Sequence, residues 1–219
     1  MGAIRWAIAV FALAAGLTCS SCSQPGDHSR GVYLLLDTSG TYAGQLEKAR
    51  HVINYLLATL EPGDTLAVAR IDTGSFSEND ILAKATLDDR PSRANQQKRQ
   101  LHQAVGSLLD ELRPSRYTDI TGGILQAIEF LNEKAPARRT ILIFSDLQEE
   151  LPKGFVRDID LKLAGYEVVA LNVTKLRADN VDPREYMTRL EAWRDRVQGG
   201  GGSWRVINDL EHLEALIAS

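Results

Sequence analysis

Five stretches of this chain, VYLLLD (32–37), TLAVARID (65–72), TILIFSD (140–146), EVVALNV (167–173) and SWRVI (203–207), are apolar through most of their length instead of alternating. A strand with one solvated face alternates with a period of two, so runs like these predict strands covered on both faces. The cover is written between them. Leu46, Ala49, Ile53, Leu56, Leu57 and Leu60 form one helical stripe, and Leu101, Val105, Leu108, Leu109 and Leu112 form a second. Ile124, Leu125, Ile128 and Leu131 follow, then Tyr186, Leu190, Trp193 and Val197, and a short last stripe through Leu210, Leu213 and Ile217. Strands alternating with helices predict an α/β fold, a doubly wound and mostly parallel sheet with helices on both faces. ILAKATLD, Ile81–Asp88, comes directly after another strand and a Gly-Ser-Asn turn region, so it is expected to pair antiparallel at an edge. GGGGS, Gly199–Ser203, reads as a flexible connection into the last strand.

With 219 residues and 44% hydrophobic content, one core and one domain are expected, covering residues 31–219. A net charge of -4 and no extended basic run argue against a nucleic-acid partner. The first 22 residues differ from the rest: one Arg precedes the apolar run WAIAVFALAAGL, Trp6–Leu17, and small polar residues follow, the pattern of a secretory signal. Twelve apolar residues fall short of the roughly 20 that a spanning helix needs. LTCSSCS resembles the lipobox of bacterial lipoproteins, with Cys22 the expected lipidation site and Cys19 the alternative; residues 23–30 would then be a short linker. These are the only cysteines in the chain, so the domain itself is expected to use no thiol chemistry.

Three polar clusters sit where buried runs end. Asp37 closes the first strand and is followed by Thr38, Ser39 and Thr41; RYTDITGG places Thr118, Asp119 and Thr121 just before a helix; Asp146 closes TILIFSD. Any one of these acids could be a helix cap. Delivered together to the carboxyl edge of one sheet, they offer carboxylate and hydroxyl oxygens without nitrogen or sulfur, a donor set suited to Mg²⁺, Mn²⁺ or Ca²⁺.

The order and spacing of DTSGT, the Thr of YTDITGG and the Asp of IFSD resemble the metal-ion-dependent adhesion site of a von Willebrand factor A domain, and the resemblance covers the chain from Val32 onward. It implies that Ser39, Thr41 and Thr118 offer hydroxyls to the ion and that Asp37 and Asp146 hold it directly or through water. Thr41 stands where the family usually has Ser, keeping the oxygen and adding a methyl. The resemblance further implies binding instead of catalysis, with a protein partner's Glu or Asp completing the ion's shell, and Tyr42, Asp119 and Gln148 as candidate rim residues. A bacterial envelope protein, exported to the periplasmic or cell-surface side of a membrane, is the expected setting.

Two other readings remain. A metal-free scaffold could keep this fold without the ion. LLLDTSGT also resembles the aspartyl-phosphate motif of phosphotransferases, in which an Asp ending a strand attacks phosphorus. The phosphatases among them need a second acid two positions on, where this chain has Ser39. No nucleophile elbow, P-loop or dinucleotide fingerprint occurs, and His28, His51, His102 and His212 have no ligand spacing, so no enzyme is expected.

Overall fold

The computed structural model describes residues 28–40, 42–71, 77–111, 113–211 and 213, with nothing described for the side chain of Ala43. The signal segment, Cys19, Cys22, most of the 23–30 linker and Thr41 lie outside the described residues. Among the described residues no helix is long and apolar enough to cross a membrane.

The strands are β1 (Arg30–Asp37), β2 (Thr65–Ile71), β3 (Ile81–Thr86), β4 (Arg138–Phe144), β5 (Tyr166–Leu171) and β6 (Ser203–Ile207). They form one sheet in the order β3-β2-β1-β4-β5-β6, parallel throughout except for β3, which runs antiparallel to β2 at the edge. This is the α/β architecture the apolar runs predict, and the short β2–β3 connection explains the one antiparallel pair: too few residues intervene for a crossover.

The helices are α1 (Leu46–Thr59), α2 (Pro91–Glu111), α3 (Ile120–Lys134) and α4 (Pro183–Gly199). Pleating divides each central strand between two cores. Leu34, Leu36, Leu142, Phe144, Val169 and Leu171 face one way and pack with Val52, Ile53 and Leu56 of α1 and Leu101 and Val105 of α2. Tyr33, Leu35, Ile141, Ile143, Val168 and Ala170 face the other and pack with Ile120, Ile124 and Ala127 of α3 and Trp193 and Val197 of α4. Each fully buried Leu, Ile or Val stabilises the fold by about 1.5–3 kcal/mol relative to exposure, so the two-sided burial of β1 and β4 is the main reason that the sheet is fixed. Leu210 and Leu213 pack on the first core as the last apolar stripe predicts; Ile217 lies outside the described residues.

Two connections have particular structure, and the second departs from expectation. The β4–β5 crossover, 145–165, contains no helix; Leu161 and Leu163 enter the second core from irregular backbone in its place. The glycine run before β6 is a packing contact, not a loose linker. The Gly200 carbonyl accepts the Leu163 amide at 2.8 Å, and a Cβ on Gly200 would stand 2.1 Å from the Leu161 carbonyl oxygen, so only glycine lets the two backbones close. Gly201 adds a φ of +84°, open to glycine at little cost.

Candidate metal centre

β1 pairs with β2 on one side and β4 on the other, so the connections diverge to opposite faces at the carboxyl ends of β1 and β4, the usual position of a ligand crevice in such sheets. Asp37 is the last residue of β1 and is fully buried. The register that sets Leu36 beside Phe144 carries Asp37 alongside Ser145, and the Ser145 hydroxyl donates to its Oδ2 at 2.6 Å. The Ser39 amide donates to Oδ1 at 2.8 Å, and the Ser39 side chain also hydrogen-bonds the carboxylate. Burial pushes the Asp37 carboxyl up, and the Ser145 and Ser39 hydrogen bonds pull it back only in part.

The three polar clusters are laced together by main-chain bonds. Ser115 donates to the Thr38 carbonyl at 2.8 Å and accepts from Gly40 at 3.2 Å, tying the turn after β1 to the approach to α3. Thr118 and Glu150 exchange amide–carbonyl bonds of 2.8 and 2.9 Å, tying that approach to the segment after β4. Asp37, Ser39, Thr118 and Asp146 thereby share one edge of the sheet. Thr41, the remaining residue of the expected set, lies outside the described residues, one position before Tyr42, whose amide donates to the Ser39 carbonyl at 3.0 Å.

Asp146 is 2% exposed. Burial pushes its carboxyl up to about 6; the Gln148 amide, 2.9 Å from Oδ1, opposes the shift, and the negative charge of Asp37 adds to it. Neither Asp37 nor Asp146 has an ion-pair partner among the described residues, and neither Asp146 Oδ2 nor the Thr118 hydroxyl takes a hydrogen bond from them. Arg189, whose charge acts on Asp146, gives its Nε to the Asp146 carbonyl at 2.9 Å and its Nη atoms to Asp179 at 3.2 and 2.8 Å. Two buried acids that repel each other, with hydroxyls nearby and no ion-pair partner among the described residues, fit a hard divalent ion. No group of three or more His, Cys, Asp or Glu assembles among the described residues, so hydroxyls have to complete any such shell.

The expected rim residues separate. Gln148 is exposed. Tyr42 is fully buried, edge-on to Phe144 at 5.3 Å, with its hydroxyl donating to the Asn172 carbonyl at 2.6 Å, so it supports the floor and cannot serve as rim. Asp119 is fully buried as well: it caps α3 by accepting the Gly122 amide at 2.7 Å and forms an ion pair with Arg157 at 2.8 Å. Sequence reasoning missed Ser145, Glu149 and Arg189. Ser145 orients Asp37, Glu149 accepts the Thr121 amide at 2.7 Å at the start of α3, and Arg189 holds the backbone of Asp146. A hydroxyl one residue before a strand-ending acid was the only available signal, and its partner depends on register.

No family model matches the sequence, and no curated protein matches it. Similar solved structures do occur. One is a von Willebrand factor type A protein from Catenulispora acidiphila, with 15% identity and a TM-score of 0.52, covering 86% of this chain and 41% of that one. Another is the pilus adhesin SpaC from Lactobacillus rhamnosus GG, with 15% identity and a TM-score of 0.51, covering 87% of this chain and 30% of that one. The chain thus spans less than half the length of either. With the sheet order, the single antiparallel edge and the helices on both faces, these likenesses show that the chain has the fold of a von Willebrand factor type A domain.

Proposed function

We propose that this chain is a protein-binding module of the bacterial envelope that captures a partner's Glu or Asp carboxylate through a divalent ion, Mg²⁺ or else Mn²⁺ or Ca²⁺. The observation that carries the reading is the convergence of two buried carboxyls, Asp37 and Asp146, without an ion-pair partner among the described residues, at the strand ends where the crossovers diverge. Asp37, Ser39, Thr118 and Asp146, with Thr41, would hold the ion, which supplies a Lewis-acidic position for an incoming carboxylate. The chain's own part is preorganisation. Ser145 and Ser39 fix Asp37, the Gln148 amide fixes Asp146, and the Ser115 and Thr118 main-chain bonds hold the three segments in place.

A role in phosphoryl transfer fits less well. Asp37 is fully buried, with hydrogen bonds on both oxygens, and Ser39 cannot act as the second acid. Purified chain with Mg²⁺ is expected to turn over no small phosphoester; turnover that vanishes in Asp37→Asn would establish an enzyme instead.

Titration calorimetry with Mg²⁺, Mn²⁺ and Ca²⁺ tests the ion. Saturable heat, lost in Asp37→Asn, is the expected result. No heat with any of the three, together with a melting temperature indifferent to chelator, would leave the metal-free scaffold as the function of the fold. The anchor is tested separately: Cys22→Ala should abolish lipid labelling and release the protein from membranes. Labelling that survives there and disappears in Cys19→Ala would move the anchor to Cys19.

A further inference from the structure

The turn that carries Asp146 is strained. Leu147 has a φ of +65°, left-handed backbone that its β-carbon opposes, and its side chain is buried in the second core. One local bond helps to hold it: the Ser145 hydroxyl, which donates to Asp37, accepts the Leu147 amide at 3.0 Å. The other holds come from α4. Arg189 gives its Nε to the Asp146 carbonyl at 2.9 Å, and Trp193 gives its indole N–H to the Leu147 carbonyl at 3.0 Å. Two consecutive carbonyls beside a candidate metal ligand are thus held by side chains four residues apart, which share one face of a helix. Arg196, three residues further along that face, donates to the Thr121 hydroxyl at 2.7 Å and to the Arg157 carbonyl at 2.8 Å. The stripe therefore reaches the start of α3 as well, three residues from Thr118. It is itself anchored. Trp193 is buried, and Arg189 pairs at 2.8 Å with Asp179, whose buried carboxylate also accepts the Leu176 amide at 2.7 Å.

We propose that α4 is the clamp that positions Asp146 for the divalent ion, with Trp193 and Arg189 as positioning residues that never touch the ion themselves. The proposal rests on the metal-dependent reading above and deepens it, making occupancy of the site depend on the seat of α4. Without the indole N–H, Leu147 is free to relax toward right-handed or extended backbone, and the Asp146 carboxylate moves with the turn. The ion then has to reassemble its ligands on binding. Coupling of this kind is reciprocal, so an ion at Asp146 also acts on the surroundings of the Trp193 ring. That makes Trp193 a spectroscopic reporter of the site. The other tryptophans are Trp204 on β6 and Trp6, which lies outside the described residues.

The test titrates the full chain in neutral detergent with Mg²⁺, or with Mn²⁺ or Ca²⁺ if Mg²⁺ gives no heat, and follows calorimetric heat and tryptophan emission. Trp193→Phe keeps a ring in the core and removes the N–H; it should weaken the ion roughly three- to tenfold, while Trp204→Phe leaves the affinity unchanged. The emission change on adding the ion should survive in Trp204→Phe and disappear in Trp193→Phe. Arg189→Lys keeps the charge beside Asp179 but cannot bridge carbonyl and carboxylate with a planar fork, and should bind several-fold more weakly. It decides the matter, with the emission of the parent and of Trp204→Phe, if Trp193→Phe does not fold. Full affinity in Trp193→Phe and Arg189→Lys, an equal loss in Trp204→Phe, or parent emission indifferent to a bound ion overturns the clamp and leaves the ion reading standing. No heat in the parent with any of the three ions removes that reading and the clamp with it.

Discussion

Asp37 is held by a buried hydroxyl and a main-chain amide, and those bonds decide what its removal does. Counting charges alone suggests that Asp37→Ala relieves repulsion with Asp146 and leaves the ion-free fold as firm as before. The hydrogen bonds reverse that expectation: truncation strands the Ser145 hydroxyl, and a buried donor left unsatisfied costs about 1–3 kcal/mol. Chemical denaturation in chelator should therefore find Asp37→Ala less stable than the parent, and Asp37→Asn, which keeps an acceptor, closer to it. Asp146 makes the opposite contribution. Its carboxyl is pushed up to about 6 from an ordinary value near 3.8, so the folded state holds its proton more tightly than the unfolded state does. Stability from this group is present below pH 4 and is lost as pH rises toward 6, by an amount on the order of 2–3 kcal/mol. In chelator, Asp146→Asn should flatten that loss between pH 4 and 6; a denaturation midpoint with the same pH slope in both proteins would contradict it.

At the scale of elements, the segment from Asp146 to Gly165 does what a helix does elsewhere in the sheet, with fewer hydrogen bonds of its own. It is pinned at Thr118 by Glu150, at Asp119 by Arg157, and at Gly200 by Leu163. Arg157 also accepts Arg196 at its carbonyl, 2.8 Å away. Removing Arg157 leaves the buried Asp119 carboxylate with its cap bond alone, and breaking a buried pair in this way costs about 3–5 kcal/mol, less here because Arg157 is partly solvated. Arg157→Ala is expected to lose roughly 2 kcal/mol and to speed amide hydrogen exchange across 150–160 ahead of the central strands. Uniform exchange across the whole chain would mean that the segment is not a separate unit. Phe155 and Val156, 54% and 78% exposed, lie within it and gain no burial that would hold it otherwise.

For the whole molecule, an ion that binds only the folded state adds RT ln(1 + [L]/Kd), about 2.7 kcal/mol at a hundredfold excess over Kd. For a domain of this size each kcal/mol moves the melting temperature by about 2–4 °C, so saturating Mg²⁺ should raise it by roughly 5–10 °C and chelator should reverse the gain. A partner carboxylate would add a further increment, lost in Asp37→Asn together with the ion's effect. The two edges of the sheet also differ in chemistry: at the carboxyl edge Asp37 and Asp146 have no ion-pair partner among the described residues, and at the amino edge arginines are in excess.

The sequence by itself determined the class of fold, because apolar runs such as VYLLLD and TILIFSD can be buried only between two helical layers. It also determined the edge position of β3, whose short connection allows no crossover, and the carboxylates and hydroxyls that end the buried strands. Side-chain partners across strands were decided only in the tertiary structure. Ser145 meets Asp37 through a register that no local pattern encodes, Tyr42 turns inward because Asn172 receives its hydroxyl, and Asp119 is buried because Arg157 arrives from 38 residues away. The glycine run reads locally as slack, yet it is a close backbone contact, since what it must fit is the Leu161 carbonyl from another part of the chain. Periodicity reports how much of each element is buried; which groups meet depends on how elements distant in sequence are packed, and that is a property of the whole fold.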